Sequence, residues 1–167
     1  PVANGGTNLT SGFANGITGA DQWRLTSGFT ADLMPLLNLE RNDNPSFTGI
    51  GTAMSLSSGI FTFPLTGIWL VSLHTEHYMN GFDREINGRI QVTQNNSTYV
   101  QVARGAAFIR ASSANTHTAT DCSSIVDVTD TSNVKVRFGV ASDQNSTTVA
   151  DTSQNATFMT FIRLGDT

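Results

Sequence analysis

The chain has 167 residues, which is enough for one domain that buries about 70% of the surface exposed by its unfolded chain. Only 13% of the residues are charged and the net charge is −4, so the chain lacks the basic face that binding to nucleic acid requires. Its longest apolar runs, of four or five residues, are far too short to span a membrane.

The first twenty residues have a composition of their own. They contain five glycines together with many Asn, Ser and Thr residues, and their apolar residues follow no period. Such a composition is typical of an extended arm or linker. We therefore predict an arm over residues 1–20, followed by one compact domain over residues 21–167.

Short segments of alternating apolar residues follow the arm, and turn-forming residues such as Asn, Gly, Asp and Pro separate them. A helical turn is plausible only at residues 32–37, where Pro35 limits it. Because no segment has the period of an amphipathic helix, the pattern predicts an all-β sandwich or barrel of about eight to ten antiparallel strands. The predicted strands cover residues 22–26, 36–41, 51–57, 60–63, 67–78, 85–93, 98–104, 107–110, 117–128, 133–141 and 156–164.

The long strand that begins at Gly67 carries apolar side chains on both faces. By alternation, Trp69, Val71 and Leu73 lie on one face, and Ile68 and Leu70 lie on the other. A strand with one face in water has a single apolar face. Two apolar faces therefore predict a strand with the domain core behind it and another subunit in front.

Three stretches of the sequence resemble the trimeric jelly-roll heads of tumour necrosis factor and of the first complement component. Residues 61–71, Phe-Thr-Phe-Pro-Leu-Thr-Gly-Ile-Trp-Leu-Val, resemble that family's aromatic-x-x-Pro-x-x-Gly-aliphatic-aromatic signature. Residues 124–136 resemble its next hairpin, with an acidic turn before an alternating Val strand, and residues 157–164 resemble its last strand. The likeness covers residues 51–164. Heads with little lysine behind a Gly-rich arm also resemble fibre and decoration proteins of bacterial and algal viruses.

The resemblance implies a tumour necrosis factor-like jelly-roll β-sandwich that assembles as a homotrimer. We predict that Ile68 and Leu70 contact neighbouring subunits in this trimer. On the last strand, Met159 and Phe161 share one face and are predicted to face the threefold axis. The other face of that strand then consists of Phe158, Thr160 and Ile162.

The sequence offers no constellation of catalytic or metal-binding residues. His74 and His77 are an odd number of positions apart, so they point to opposite faces of a strand, whereas zinc needs three or four convergent ligands. Asp83 and Glu85 lack the Asp-rich loop that supplies the oxygens of a calcium site. No nucleophile elbow, phosphate loop or dinucleotide fingerprint is present. We predict no metal, no cofactor and no enzymatic activity.

A candidate contact surface follows the long strand, at Tyr78, Met79, Asn80 and Phe82. Large exposed side chains in a loop are typical of a site for a protein or glycan partner. The alternative is that this segment packs over the end of the sandwich, since most large aromatic side chains are buried.

The resemblance to viral fibre and decoration proteins implies a non-enzymatic virion structural protein, such as a bacteriophage head fibre, capsid decoration protein or tail-fibre knob that presents loops for host attachment. Its predicted partners are two copies of itself, other virion proteins through the arm, and a glycan or protein on the host surface. The alternative is a secreted recognition head of the complement or tumour necrosis factor type. A glycan-binding or glycan-degrading module is a third hypothesis. The predicted location is the virion surface, or the extracellular space for the secreted alternative.

Overall fold

The computed structural model describes residues 16–167, and these residues form strands joined by turns and loops. Among them, no helix is long and apolar enough to span a membrane. The strands are β1 (Gly19–Leu25), β2 (Leu39–Arg41), β3 (Ser55–Ser57), β4 (Ile60–Thr62), β5 (Gly67–Asn80), β6 (Asp83–Thr93), β7 (Tyr99–Ile109), β8 (Asn115–Val128), β9 (Lys135–Ser142), β10 (Thr147–Thr148) and β11 (Phe158–Gly165).

The strands form two antiparallel sheets that pack face to face. The first, called the front sheet here, has the order β8-β5-β11-β1-β2, and β10 pairs with β5 beyond the end of β11. The second, called the back sheet, has the order β3-β4-β9-β6-β7. This arrangement confirms the predicted all-β sandwich. The strand without a predicted counterpart is β10, which has only two residues.

An aromatic cluster joins the two sheets in the core. The ring of Phe61 lies 5.4 Å from that of Trp23, 5.6 Å from that of Phe138 and 5.0 Å from that of Phe161, measured between centroids. Aromatic pairs at these spacings contribute about 0.5–1.5 kcal/mol each beyond the area they bury. The cluster therefore fixes the front sheet against the back sheet near their centres.

Two glycines allow the sheets to approach closely along one side of the sandwich. Gly88 and Gly105 are cross-strand partners on β6 and β7. A Cβ atom on Gly105 would lie 2.3 Å from the backbone oxygen of Asp121 on β8, and one on Gly88 would lie 2.4 Å from Thr120 Oγ1. The missing side chains therefore let β8 of the front sheet lie directly against β6 and β7 of the back sheet.

The observed strands depart from the predicted ones at a few places. β1 begins at Gly19, two residues before the predicted start of the domain, because Gly19 and Ala20 pair with β11. Residues 32–37 form no helical turn, and Leu33 instead pairs with Val140 in an isolated bridge. The two strands predicted at 98–104 and 107–110 are one continuous strand, β7. Residues 1–15 of the predicted arm lie outside the described residues.

The single thiol, on Cys122, is expected to resist alkylation in the folded protein. Cys122 is partly buried on β8, opposite the core residue Leu73, and burial raises the pKa of its thiol to about 11. Because the thiolate is the reactive form, iodoacetamide at about pH 8 should modify the folded chain much more slowly than the chain unfolded in urea. Mass spectrometry over a time course measures both rates. Equal rates would show that the thiol is freely accessible and ionised.

Candidate interaction surfaces

Side chains on the outward face of the front sheet form rows that cross several strands. Residues directly opposite each other in an antiparallel pair point to the same face. Leu70 on β5 pairs with Ile125 on β8 and with Ile162 on β11, and Ile162 pairs with Ala20 on β1. These four residues, called the apolar row here, cross four strands in register. Ile125 is 65% exposed and the other three are partly exposed, so the row is not covered within one chain.

The two predicted interface residues of β5 are on this outward face. Ile68 and Leu70 are partly exposed, whereas Trp69, Val71 and Leu73 are at most 1% exposed and lie in the core. The predicted division of β5 into a core face and an outward face is therefore confirmed. Contact between Ile68 or Leu70 and another subunit stays a prediction.

The predicted orientation of the last strand is wrong. Met159 and Phe161 are 0% exposed and belong to the core cluster, so they cannot reach a neighbouring subunit. The reason is register: Met159 pairs with Leu73 and Phe161 pairs with Val71, and both partners point into the core. The outward residues of β11 are Phe158, Thr160 and Ile162.

Ile125 and Ile162 are interface candidates that the sequence interpretation missed. Both have apolar neighbours that alternate to the opposite face, such as Val126 beside Ile125. If Val126 and Val128 are assigned to the core, alternation along the strand places Ile125 at an outward position. An apolar residue at such a position is a sequence signal for an interface.

A polar row and a charged row lie beside the apolar row. The polar row consists of Ser123, Ser72, Thr160 and Gln22. In the next row, His74 Nδ1 lies 2.7 Å from Asp121 Oδ1, and the ring of Phe158 lies 5.1 Å from the imidazole. The outward face thus changes along the strands from apolar through hydroxyl-bearing to charged.

A second imidazole–carboxylate pair lies further along the same face. His117 Nδ1 is 3.0 Å from Glu76 Oε1, and the His117 ring lies 5.3 Å from that of Tyr78. Among residues 16–167, no three His, Cys, Asp or Glu side chains come together in a way that could hold a metal ion.

His77 points to the opposite face, as its spacing from His74 predicted. It is fully buried, with Nε2 2.7 Å from Thr75 Oγ1 and Nδ1 3.2 Å from Thr148 Oγ1. Burial lowers the pKa of the imidazole to about 4, partly opposed by the nearby carboxylate of Asp83 and reinforced by His74. His77 is therefore a neutral hydrogen-bonding residue inside the sandwich.

The predicted contact loop is mostly strand. Tyr78, Met79 and Asn80 are the last residues of β5, and only Gly81 and Phe82 form the turn into β6. This short turn carries the chain from the front sheet to the back sheet. Phe82 is 48% exposed at its tip. Contact between these residues and a partner stays a prediction.

A second uncovered apolar surface lies on the edge strand of the back sheet. Val100 is 62% exposed and Val102 is 44% exposed. Phe108 is 68% exposed but points to the opposite face of β7, because its neighbour Ala107 pairs with the core residue Ile86. Val102 is the extra residue of a bulge, because Ala103 pairs with Ile90 and Gln101 with Gln91. Val100 and Val102 also line a cavity of about 290 Å³. Val100 and Val102 are called the β7 edge here.

No family model matches the sequence, and no curated protein matches it. Solved structures do match. Murine APRIL at pH 8.5 aligns with a TM-score of 0.60, over 87% of this chain and 98% of its own, at 11% identity. Eiger TNF from S. frugiperda aligns with a TM-score of 0.64, over 89% of this chain and 93% of its own, at 14% identity. The chain thus has a tumour necrosis factor-like jelly-roll fold, which confirms the fold class predicted from the sequence.

Proposed function

We propose that the chain is a non-enzymatic recognition head that assembles as a homotrimer. The observation that carries this proposal is the apolar row, an in-register set of four apolar residues across four strands of a face that is uncovered in the single chain. Contiguous exposed apolar surface on a folded domain is typical of an interface with another protein. The partner that fits it best is another copy of the same chain.

Threefold assembly is favoured because the chain has two different uncovered apolar surfaces. In a cyclic trimer the interface is heterologous, so one surface of each subunit contacts a different surface of the next. The apolar row and the β7 edge provide such a pair, whereas a twofold dimer would bring the apolar row against itself. The resemblance to trimeric heads points to the same symmetry. Each interface then needs to bury about 1,000 Å² or more to be stable.

The proposed non-enzymatic role agrees with the surroundings of His74, whose imidazole is partly exposed. His74 is paired with Asp121, and among residues 16–167 its ring has no hydrogen bond with the neighbouring hydroxyl groups of Ser72 and Ser123. In enzymes that use a serine nucleophile, the serine hydroxyl lies within hydrogen-bonding distance of the base that activates it. The pair therefore serves better as part of a polar surface.

We place this trimer at the virion surface, as a fibre, decoration or tail-fibre head that attaches to a host. The small number of charged residues supports this setting, since such a surface depends little on ion pairs that salt screens. A secreted recognition head is the alternative setting. The genes beside the full-length gene separate the two: capsid and tail genes support the virion, and a signal-bearing cellular gene supports the secreted head.

The trimer is tested by the mass of the protein in solution. Sedimentation equilibrium at several protein concentrations should give three times the chain mass of 17.8 kDa. A trimer that persists on dilution would be obligate in character. A single-chain mass at every concentration would contradict the proposal.

A further inference from the structure

A polar cavity of about 340 Å³ lies over β1 on the outward side of the front sheet. Its walls come from β1, from residues 42–47 after β2, and from residues 154–155 before β11. The volume is within the range of small-molecule sites, about 300–1,000 Å³. Amide side chains and one aromatic ring dominate the lining, which includes Gln22, Asn42, Asn44, Gln154, Asn155 and Phe47.

Hydrogen bonds hold the amide groups in fixed positions. Gln22 Oε1 accepts hydrogen bonds from Asn42 Nδ2 at 2.8 Å and from Asn155 Nδ2 at 2.6 Å. Gln22 Nε2 in turn donates to Thr160 Oγ1 at 3.0 Å. Asn155 Oδ1 is buried and has no hydrogen-bond partner, so this network lacks one donor. Preorganised polar groups of this kind bind a ligand with little loss of side-chain entropy.

The cavity offers no free charge to a ligand. Arg24 is 1% exposed, and its guanidinium donates to Glu40 Oε1 at 2.8 Å, to Asn42 Oδ1 at 3.3 Å and to Asp43. Two carboxylates therefore more than neutralise its charge within the chain. An anionic ligand would find no unpaired cation in the cavity, and an apolar ligand would find Phe47 as its one apolar neighbour among the named lining residues.

The geometry points to a binding site for a neutral carbohydrate in this cavity. Amide groups both donate and accept hydrogen bonds, as the hydroxyl groups of a sugar do. The ring of Phe47 is partly exposed and offers an apolar surface for the C–H face of a pyranose, while the Arg41 guanidinium lies 5.6 Å from its centroid. The inference rests on the proposed recognition role and names its ligand class. The cavity forms within one chain, so it does not depend on the trimer.

The test is a glycan array of neutral, sialylated and sulfated oligosaccharides, probed with the full chain. The neutral oligosaccharide with the strongest signal is then titrated calorimetrically against the wild type and two variants. Phe47→Ala should weaken binding by about tenfold or more, because the stacking surface is lost. Tyr99→Ala is the matched control: Tyr99 also lies beneath a guanidinium, that of Arg137 at 4.0 Å, but outside the cavity, and its binding should equal that of the wild type.

Three results would overturn the inference: no binding to any neutral glycan, binding confined to acidic glycans, or equal loss in both variants. Phe82→Ala tests whether the glycan binds instead at the turn after β5. If Phe82→Ala loses binding and Phe47→Ala keeps it, the inference is also overturned. If circular dichroism shows that Phe47→Ala is unfolded, the exposed Gln154→Ala replaces it and should weaken binding several-fold. Solution mass is measured on the same samples, so a trimer that binds no glycan refutes only this inference.

Discussion

Leu70→Asp is expected to dissociate the proposed trimer into folded monomers. Leu70 lies at the centre of the apolar row, between Ile125 and Ile162. In a single chain the new carboxylate stays accessible to water, so the domain should keep its fold. In a trimer it would be buried in each of three interfaces without a partner, at a cost of several kcal/mol per subunit. Sedimentation equilibrium measures the loss of mass, and circular dichroism with thermal unfolding measures the retained fold.

The control for Leu70→Asp introduces the same charge elsewhere. Ser55 is exposed on β3 of the back sheet, away from both proposed contact surfaces, and Ser55→Asp should remain trimeric. Met159→Asp distinguishes the two faces of the front sheet, because a carboxylate at this fully buried position should unfold the domain instead of dissociating it. A stable trimer of Leu70→Asp at micromolar concentration would show that the apolar row is not the interface.

The sequence predicted the faces of β5 but not those of β11, for a physical reason. On β5 the outward set becomes polar after Leu70 while the core set stays apolar to Leu73, so the alternation itself identifies the core face. On β11 both sets are apolar, since Phe158 and Ile162 alternate with Met159 and Phe161. Only the register against β5 decides between them, and register depends on pairing across about ninety residues of sequence, which no local period records.

The residues of the cavity could not be grouped from local sequence patterns, because strand pairing between distant parts of the chain brings them together. Asn42 and Asn155 belong to turn-rich segments, where Asn is expected for its own backbone hydrogen bonds. Their meeting at Gln22 follows from the pairing of β1 with both β2 and β11, at opposite ends of the chain. Residue type predicted turns at these positions, and the fold alone places their amides together.

Acid is expected to destabilise the fold through His77, and His77→Gln should remove that effect. The pKa of the buried imidazole is lowered from 6.5 to about 4, so the unfolded chain binds a proton that the folded chain does not bind between these values. Stability then rises with pH across this window and is lost as the pH falls from about 6.5 to about 4. The full shift corresponds to about 3 kcal/mol in the free energy of unfolding.

Urea unfolding at one fixed protein concentration, repeated at several pH values for the wild type and for His77→Gln, measures this contribution. The pairs His74–Asp121 and His117–Glu76 are present in both proteins, so the difference between the two curves isolates His77. Gln keeps a donor and an acceptor for Thr75 and Thr148 but takes up no proton in this range. The free energy of unfolding of the wild type, relative to that of His77→Gln, should therefore fall by up to about 3 kcal/mol as the pH falls to about 4. Two parallel curves would mean that water or a local opening reaches His77, so that its charge costs the folded state nothing.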